Sequence, residues 1–144
     1  MLRTKPPFRA DHAGSLLRPQ KISEARAKFA RQQISADELR RIEDMEIEKL
    51  VHKQSAIGLQ VATDGELRRQ SWHLDFFAGL NGCELYHSAA RQPDERPDAV
   101  RVVGTIDFPE DHPVLEEFRV LQRHDGISHV TNNATIPSLG MLLF

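Results

Sequence analysis

Residues 35–66, SADELRRIEDMEIEKLVHKQSAIGLQVATDGE, constrain the fold more than any other stretch. Ser35 followed by Glu38 predicts a capping box, in which each side chain bonds a backbone amide at a helix start. Gly58 can adopt the left-handed conformation that ends such a helix. The apolar run LQVAT and the polar residues Asp64-Gly65-Glu66 follow at once. A long helix, a glycine, a short buried strand and polar residues at its carboxyl end predict half of a βα repeat. Helical spacing assigns the buried stripe of this helix to Leu39, Ile42, Leu50, Val51 and Ile57.

The same alternation of strand and helix fits two other parts of the chain. RADHAGS, residues 9–15, precedes a short helix predicted from Pro19, and PVLEEFRVLQRHDG, residues 113–126, precedes a third strand predicted at ATIPS, residues 134–138. Runs of β-forming residues on either side of a polar loop predict an inserted hairpin around residues 82–108. The apolar face of the first helix is expected to gather Ile22, Ala25, Arg26, Phe29 and Ala30. Trp72, Phe76 and Phe77 are expected in the core, as are Val114, Leu115, Phe118 and Leu121 of the later helix.

Composition excludes several classes of function. The chain has 144 residues and a net charge of -2, with its 19 basic residues scattered rather than gathered on one face, so nucleic acid is not an expected partner. No apolar run approaches the roughly 18 residues of a membrane span, and no membrane partner is expected. A single cysteine, Cys83, cannot form an internal disulfide, which favours a reducing, cytoplasmic location.

The last six residues, LGMLLF, are almost wholly apolar, which is typical of a segment that continues into further structure. A TIM barrel needs roughly 250 residues for its eight strands, so this length accommodates about three βα units. We therefore expect an α/β fold in which residues 1–144 form the N-terminal portion of a (β/α)8 barrel with the inserted hairpin.

The order RADHAGSLLRP, a long helix, GLQVATDGELRRQSWHLDF, GLNG and TIPS resembles the cobalamin-independent methionine synthase family, and in particular single-barrel homologues of its catalytic C-terminal domain. The resemblance covers essentially the whole chain. It implies a zinc-dependent barrel, of the type shared with uroporphyrinogen decarboxylase, that moves a methyl group from 5-methyltetrahydrofolate to the sulfur of homocysteine. Zinc would convert the thiol to a thiolate, and a clamp on the amino-acid end would aim the sulfur at the methyl carbon.

By position, the resemblance assigns the homocysteine clamp to Gly14, Ser15 and Glu66. Backbone amides and the serine would hold the carboxylate, and Glu66 would take the ammonium group. Weaker candidates are His12, Asp64 and Ser138. Read without the resemblance, Gly14 is an ordinary turn residue and Glu66 a loop acid or a partner of Arg68. Asp64 is expected to have a structural role, either on Arg68 or on Arg69.

Other polar residues favour plain interpretations. Asp11 and His12 point to opposite faces if they lie on a strand, which argues against a shared metal site with Glu66. His73 and Asp75 are weak site candidates, and Cys83 has no zinc-ligand spacing around it, so we expect a small buried residue there.

The zinc ligands of the family come from later strands, which this sequence lacks. No catalytic residue and no metal ligand is therefore assigned to this chain, and we expect that alone it neither binds catalytic zinc nor transfers methyl groups. Two alternatives stay open. One is a non-catalytic or partner-dependent module that self-associates through an open barrel edge. The other is a related decarboxylase or thiol alkyltransferase barrel.

Overall fold

The computed structural model describes residues 15–59, 61–71, 73–87, 99–123, 131–132 and 136–137. These residues mix helices and short strands and fall into two compact units. The first unit is drawn from residues 1–68 and 118–135, and the second from 69–117 and 136–144. Within the described ranges, no helix is both long enough and apolar enough to cross a membrane.

The first unit opens with two helices, α1 (Gln20–Ala30) and α2 (Ala36–Ala56). The predicted capping box at the start of α2 is confirmed, because Ser35 Oγ accepts from the Glu38 amide and the Glu38 carboxylate accepts from the Ser35 amide. The predicted stop is also confirmed. Gly58 has a φ of 87°, and the amides of Gly58 and Leu59 bond to the carbonyls of Ser55 and Gln54, which is the pattern of a Schellman motif.

The buried faces of the two helices agree with the prediction in part. Ile22 and Ala25 of α1 are buried, as expected. Phe29 and Ile57, both expected in the core, are 43% and 69% exposed. The buried residues of α2 are Glu43, Ile47, Val51 and Gln54, so Val51 is confirmed, and two polar side chains share the buried face. These polar residues can be buried because each has hydrogen-bond partners in the fold. The core of the first unit consists of Ile22, Ile47, Val51, Ala62, Leu67 and Leu121.

The expected strand after α2 is present as β1 (Val61–Ala62). It pairs in parallel with β4 (Thr131–Asn132), with Val61 opposite Thr131. A parallel pair requires a crossover connection, as the predicted βα alternation does. The third strand was predicted at ATIPS, of which only Ile136–Pro137 are described. These two residues are not in a strand, and the pairing with β1 occurs earlier, at Thr131–Asn132. Proline lacks the amide that a strand ladder needs, which favours the earlier segment.

The second unit contains α3 (Leu74–Ala78) and an antiparallel pair, β2 (Asn81–Tyr86) and β3 (Ala99–Asp107). The predicted hairpin is therefore confirmed, although its loop lies outside the described residues. Its register shifts between Asn81 and Cys83, where Gly82 has a φ of 74°. A Cβ on Gly82 would come 2.3 Å from the Thr105 carbonyl oxygen, so only glycine fits this close approach.

Aromatic residues fill the core of the second unit. Phe76 and Phe77 are 7% and 2% exposed, as expected, and Leu80 and Val114 pack with them. Trp72 lies outside the described residues. The helix predicted near residue 113 is present as α4 (Pro113–Arg123), and the division between the two units falls within it.

His112 is a buried member of this unit that sequence analysis did not single out. It is 2% exposed and stacks on Phe108 with ring centroids 4.7 Å apart. Its Nδ1 accepts from the Val114 amide at 3.1 Å, so its Nε2, 2.9 Å from the Phe76 carbonyl oxygen, carries the proton and donates. Both ring nitrogens are thus satisfied inside the core.

Candidate functional site

The candidate site is the polar turn that follows β1, residues Thr63 to Glu66. Thr63 is 2% exposed and leaves the strand with its backbone bonded to a helix side chain. Gln54 of α2 donates from Nε2 to the Thr63 carbonyl oxygen at 2.8 Å and accepts from the Thr63 amide at Oε1 at 3.1 Å. A buried glutamine amide therefore satisfies both backbone groups at the carboxyl end of the strand, where a neighbouring strand would otherwise do so.

The turn itself is held by its own side chains. Thr63 Oγ1 accepts from the Gly65 amide at 3.2 Å, and Asp64 Oδ1 accepts from the Glu66 amide at 2.9 Å. Asp64 therefore has the structural role expected of it, but on the backbone of Glu66 rather than on an arginine. These bonds fit the Asx and ST turns that aspartate and threonine form with amides two residues ahead.

Glu66 combines two unusual properties. Its φ is 55°, in the left-handed region, and its side chain is 3% exposed. A non-glycine residue with this backbone costs on the order of 1 kcal/mol or more, and such residues cluster at functional sites. A carboxylate is also rarely buried unless it interacts with other polar groups. Among the described acids, Glu66 is therefore the one that combines burial with a left-handed backbone, which makes it a candidate ligand group.

A backbone hydrogen bond joins this turn to the other half of the predicted clamp. The Leu16 amide donates to the Gly65 carbonyl oxygen at 3.0 Å. Ser15 and Glu66 are each one residue away from this bonded pair, so the two segments that carry the predicted clamp lie side by side. Ser15 is exposed, whereas Glu66 is buried. Gly14, His12 and Ser138, like Asp11, lie outside the described residues.

A buried ionic cluster supports the turn from the helix side. Arg26 of α1 donates from Nη2 to Glu43 Oε1 at 3.1 Å, to the Leu67 carbonyl oxygen at 2.8 Å and to the Arg68 carbonyl oxygen. Arg68 in turn pairs with Asp44, and its Nη1 lies 3.7 Å from Glu43 Oε2. The sequence placed Arg26 on the buried face of its helix but gave no sign of this cluster. Glu43 lies outside the apolar stripe that was predicted for α2, so the sequence did not indicate its burial.

The weaker candidates of the second unit have structural contacts. Asp75 accepts from the amides of Gln70 and Ser71 at 2.6 and 3.3 Å, which stabilises the start of α3. His73 Nδ1 lies 3.5 Å from the Ser71 hydroxyl. Cys83 is half-buried beside the core of this unit, and burial raises the pKa of its thiol. A thiol with a raised pKa carries less thiolate and is a poorer nucleophile at neutral pH.

In the part of the chain that the structure describes, no three histidine, cysteine, aspartate or glutamate side chains gather as metal ligands do. The zinc that the resemblance implies stays a prediction.

Known proteins resemble the chain over nearly its whole length. It is 44% identical over 144 residues to the uncharacterized protein YxjH of Bacillus subtilis (strain 168), covering 97% of this chain and 37% of that protein. It is 42% identical over 146 residues to the uncharacterized protein YxjG of the same organism, covering 99% of this chain and 38% of that protein. No protein-family model matches the chain.

A solved structure gives the same result for the backbone. The chain matches a crystal structure from Listeria monocytogenes, of a protein provisionally named a vitamin-B12-independent methionine synthase, with a TM-score of 0.79 and 41% identity. The match covers 99% of this chain and 40% of that one. The chain thus spans about two fifths of the length of these relatives. In sequence and in backbone it is similar to part of a methionine synthase-like protein.

Proposed function

We propose that this chain supplies the amino-acid-binding part of a methionine synthase-like methyltransferase, with homocysteine held between the Ser15 segment and Glu66. The observation that carries the proposal is the 3.0 Å hydrogen bond from the Leu16 amide to the Gly65 carbonyl oxygen, which sets the two segments side by side. The left-handed, buried Glu66 adds a carboxylate of the kind that binding sites use. The similarity to the Listeria monocytogenes protein supports the same reaction class.

The chemistry of the proposed site follows from the zwitterion that it would bind. The ammonium group of homocysteine would donate hydrogen bonds to the Glu66 carboxylate, and burial would strengthen this attraction by lowering the local dielectric. The carboxylate of homocysteine would accept from the Ser15 hydroxyl and from nearby backbone amides. Together these contacts would fix the direction of the thiol, which is what a methyl transfer to sulfur requires. 5-Methyltetrahydrofolate as the methyl donor is part of the proposal through the resemblance alone.

A titration of the full chain with L-homocysteine under reducing conditions tests the proposal. Binding is followed by the backbone amide resonances of Ser15, Gly65 and Glu66 in nuclear magnetic resonance spectra. Glu66→Gln is expected to weaken binding by about ten- to a hundredfold, because it removes one charged hydrogen bond of roughly 1.5–3 kcal/mol. Glu110→Gln, an exposed acid of the second unit, is the matched control and should leave the affinity unchanged.

A second ligand sharpens this test. 4-Mercaptobutyrate has the carboxylate and the thiol of homocysteine but no ammonium group, so Glu66→Gln should not weaken its binding. Equal weakening for both ligands, or unchanged homocysteine affinity in Glu66→Gln, would reject Glu66 as the ammonium partner.

A second candidate function, a module that associates with itself, is favoured by the hairpin of the second unit. Its large apolar side chains Leu85, Tyr86, Val102, Val103 and Ile106 are each at least 38% exposed. Exposed apolar strands of this kind invite pairing between chains. Analytical ultracentrifugation distinguishes the two functions, because Val103→Lys should lower self-association without changing homocysteine binding. A wild-type chain that stays monomeric at all concentrations would remove this candidate.

A further inference from the structure

We infer that Gln54, on helix α2, is a positioning residue for Glu66. The inference rests on the proposed function, since it concerns how the binding carboxylate is held. Gln54 is only 3% exposed, although glutamine side chains usually face solvent. A buried amide needs its hydrogen bonds satisfied, and those of Gln54 are made to the strand end that leads into the site.

The contacts of Gln54 fix the chain on both sides of β1. Its side chain bonds both backbone groups of Thr63, at 2.8 and 3.1 Å, after the strand. Its own carbonyl oxygen accepts from the Leu59 amide at 3.1 Å, before the strand. Its Nε2 also lies within 3.3 Å of the Leu50 carbonyl oxygen one helical turn earlier, which limits the rotamers of the side chain. Gln54 therefore holds the carboxyl end of β1 in a defined position.

A short series of hydrogen bonds connects Gln54 to Glu66. Thr63, held by Gln54, accepts at its hydroxyl from the Gly65 amide at 3.2 Å. Asp64, the next residue, accepts from the Glu66 amide at 2.9 Å. Gly65 and Glu66 have φ values of 64° and 55°. Glycine adopts this backbone without a steric penalty, but a left-handed glutamate is unfavourable in isolation and persists only where surrounding contacts hold it. Loss of the Gln54 bonds would release Thr63 and allow this turn to relax.

A purely structural role for Gln54 makes a different prediction. If the amide only packs α2 against β1, its removal lowers stability and changes the affinity by the same factor whether or not Glu66 can bind the ammonium group. If it acts through Glu66, the effect on affinity disappears once the Glu66 carboxylate is gone. A double-mutant cycle separates these outcomes.

The experiment measures homocysteine affinity of the full chain in the wild type, Gln54→Met, Glu66→Gln and the double variant. Methionine has a similar size but offers neither hydrogen bond. We expect Gln54→Met to weaken binding about tenfold in the wild type and by less than about twofold in the Glu66→Gln background. Equal factors in the two backgrounds, or no loss in Gln54→Met, would overturn the inference. Gln122→Met, at an exposed helical position, is the matched control.

A second variant covers the case in which Gln54→Met does not fold. Gln54→Glu keeps an acceptor for the Thr63 amide, but as a carboxylate it cannot donate to the Thr63 carbonyl oxygen. When protonated it regains that donor. Relative to the wild type, its homocysteine affinity should therefore recover as the pH falls, and a constant ratio across pH would contradict the inference.

Amide hydrogen exchange of Gly65 and Glu66, measured without ligand, separates failure of this inference from failure of the proposed function. If Glu66→Gln leaves the affinity unchanged, the proposed function fails. Faster exchange in Gln54→Met would then still show that Gln54 holds the turn, whereas unchanged exchange would overturn the positioning role itself.

Discussion

Replacing Arg26 with methionine should destabilise the first unit strongly, because this one side chain connects α1 to α2 and to the segment after the site. Its Nη2 donates to Glu43 at 3.1 Å, to the Leu67 carbonyl oxygen at 2.8 Å and to the Arg68 carbonyl oxygen. The Arg26 and Glu43 side chains are only 17% and 10% exposed, so solvent screens the pair weakly. Arg26→Met would leave two backbone carbonyls and a carboxylate without this donor.

The size of the stability loss depends on the interactions that Glu43 keeps when Arg26 is replaced. Removing one partner of a buried ion pair costs roughly 3–5 kcal/mol, and each charged hydrogen bond contributes roughly 1.5–3 kcal/mol, but these values do not add. Glu43 keeps Arg68 at 3.7 Å, which places the loss at the lower end, about 3 kcal/mol. For a chain of this size that corresponds to a drop in melting temperature of about 6–12 °C.

Urea unfolding followed by circular dichroism measures this loss. The matched control is Lys28→Met, which removes a positive charge from an exposed position of the same helix and should have little effect. Arg26→Lys keeps the charge but not the planar set of donors and should fall between the two. A loss below about 0.5 kcal/mol in Arg26→Met, or an equal loss in Lys28→Met, would refute the reasoning.

Three further predictions concern the second unit. Gly82→Ala should lower stability by about 2 kcal/mol or more, because the added Cβ clashes with a facing carbonyl and the backbone is left-handed. Gly104→Ala should not lower it, because its added Cβ has its nearest neighbour at 3.7 Å. Thermal unfolding of both variants checks this prediction, and equal losses would contradict it. His112→Phe should cost about 1–3 kcal/mol in urea unfolding, because the Val114 amide loses its acceptor at Nδ1, and a neutral result would show that water replaces the bond. Burial raises the pKa of the Cys83 thiol. Iodoacetamide should therefore alkylate it more slowly in the folded chain than in urea, and the alkylation rate of the folded chain should increase only at a higher pH. Equal rates in the two states would contradict the burial of Cys83.

The parts of the fold that sequence predicts well are those fixed by local bonds. The capping box between Ser35 and Glu38 and the glycine stop at Gly58 involve residues close together in the chain, so their geometry can be inferred from spacing. The hairpin was predicted from a different signal, the runs of β-forming residues on either side of a polar loop. The pairing of β1 with Thr131–Asn132 was not predicted, because it is a long-range contact and the register of such a pair cannot be read from one segment.

The buried faces were harder to predict because polar residues took positions that apolar periodicity assigns to apolar ones. Ile57 is exposed, while Glu43 and Gln54 are buried. Each of these polar residues is stabilised by a partner on another element, Arg26 for Glu43 and Thr63 for Gln54. A pattern of apolar residues contains no information about such partners, so the prediction found Val51 but missed the two buried polar residues.

For the candidate site, two segments were predicted, but the left-handed backbone of Glu66 was not. The resemblance pointed to Ser15 and Glu66, and the bond from Leu16 to Gly65 places these segments side by side. The left-handed backbone of Glu66 could not be predicted, since glutamate has no preference for that conformation. It arises from the directional bonds of Thr63 and Asp64 in the folded chain.

The core of the first unit and the turn after β1 should respond differently to substitution. Apolar packing is non-directional and tolerates changes of shape, whereas the turn after β1 depends on hydrogen bonds with defined geometry. Ile47→Val in the core should therefore cost about 0.5–1.5 kcal/mol of stability and leave homocysteine affinity unchanged. Asp64→Ala should show the opposite balance, because the bond that it loses holds the Glu66 amide. If affinity instead followed stability across both variants, the turn would have no geometric requirement of its own, and Glu66 would be held by the general packing of the unit.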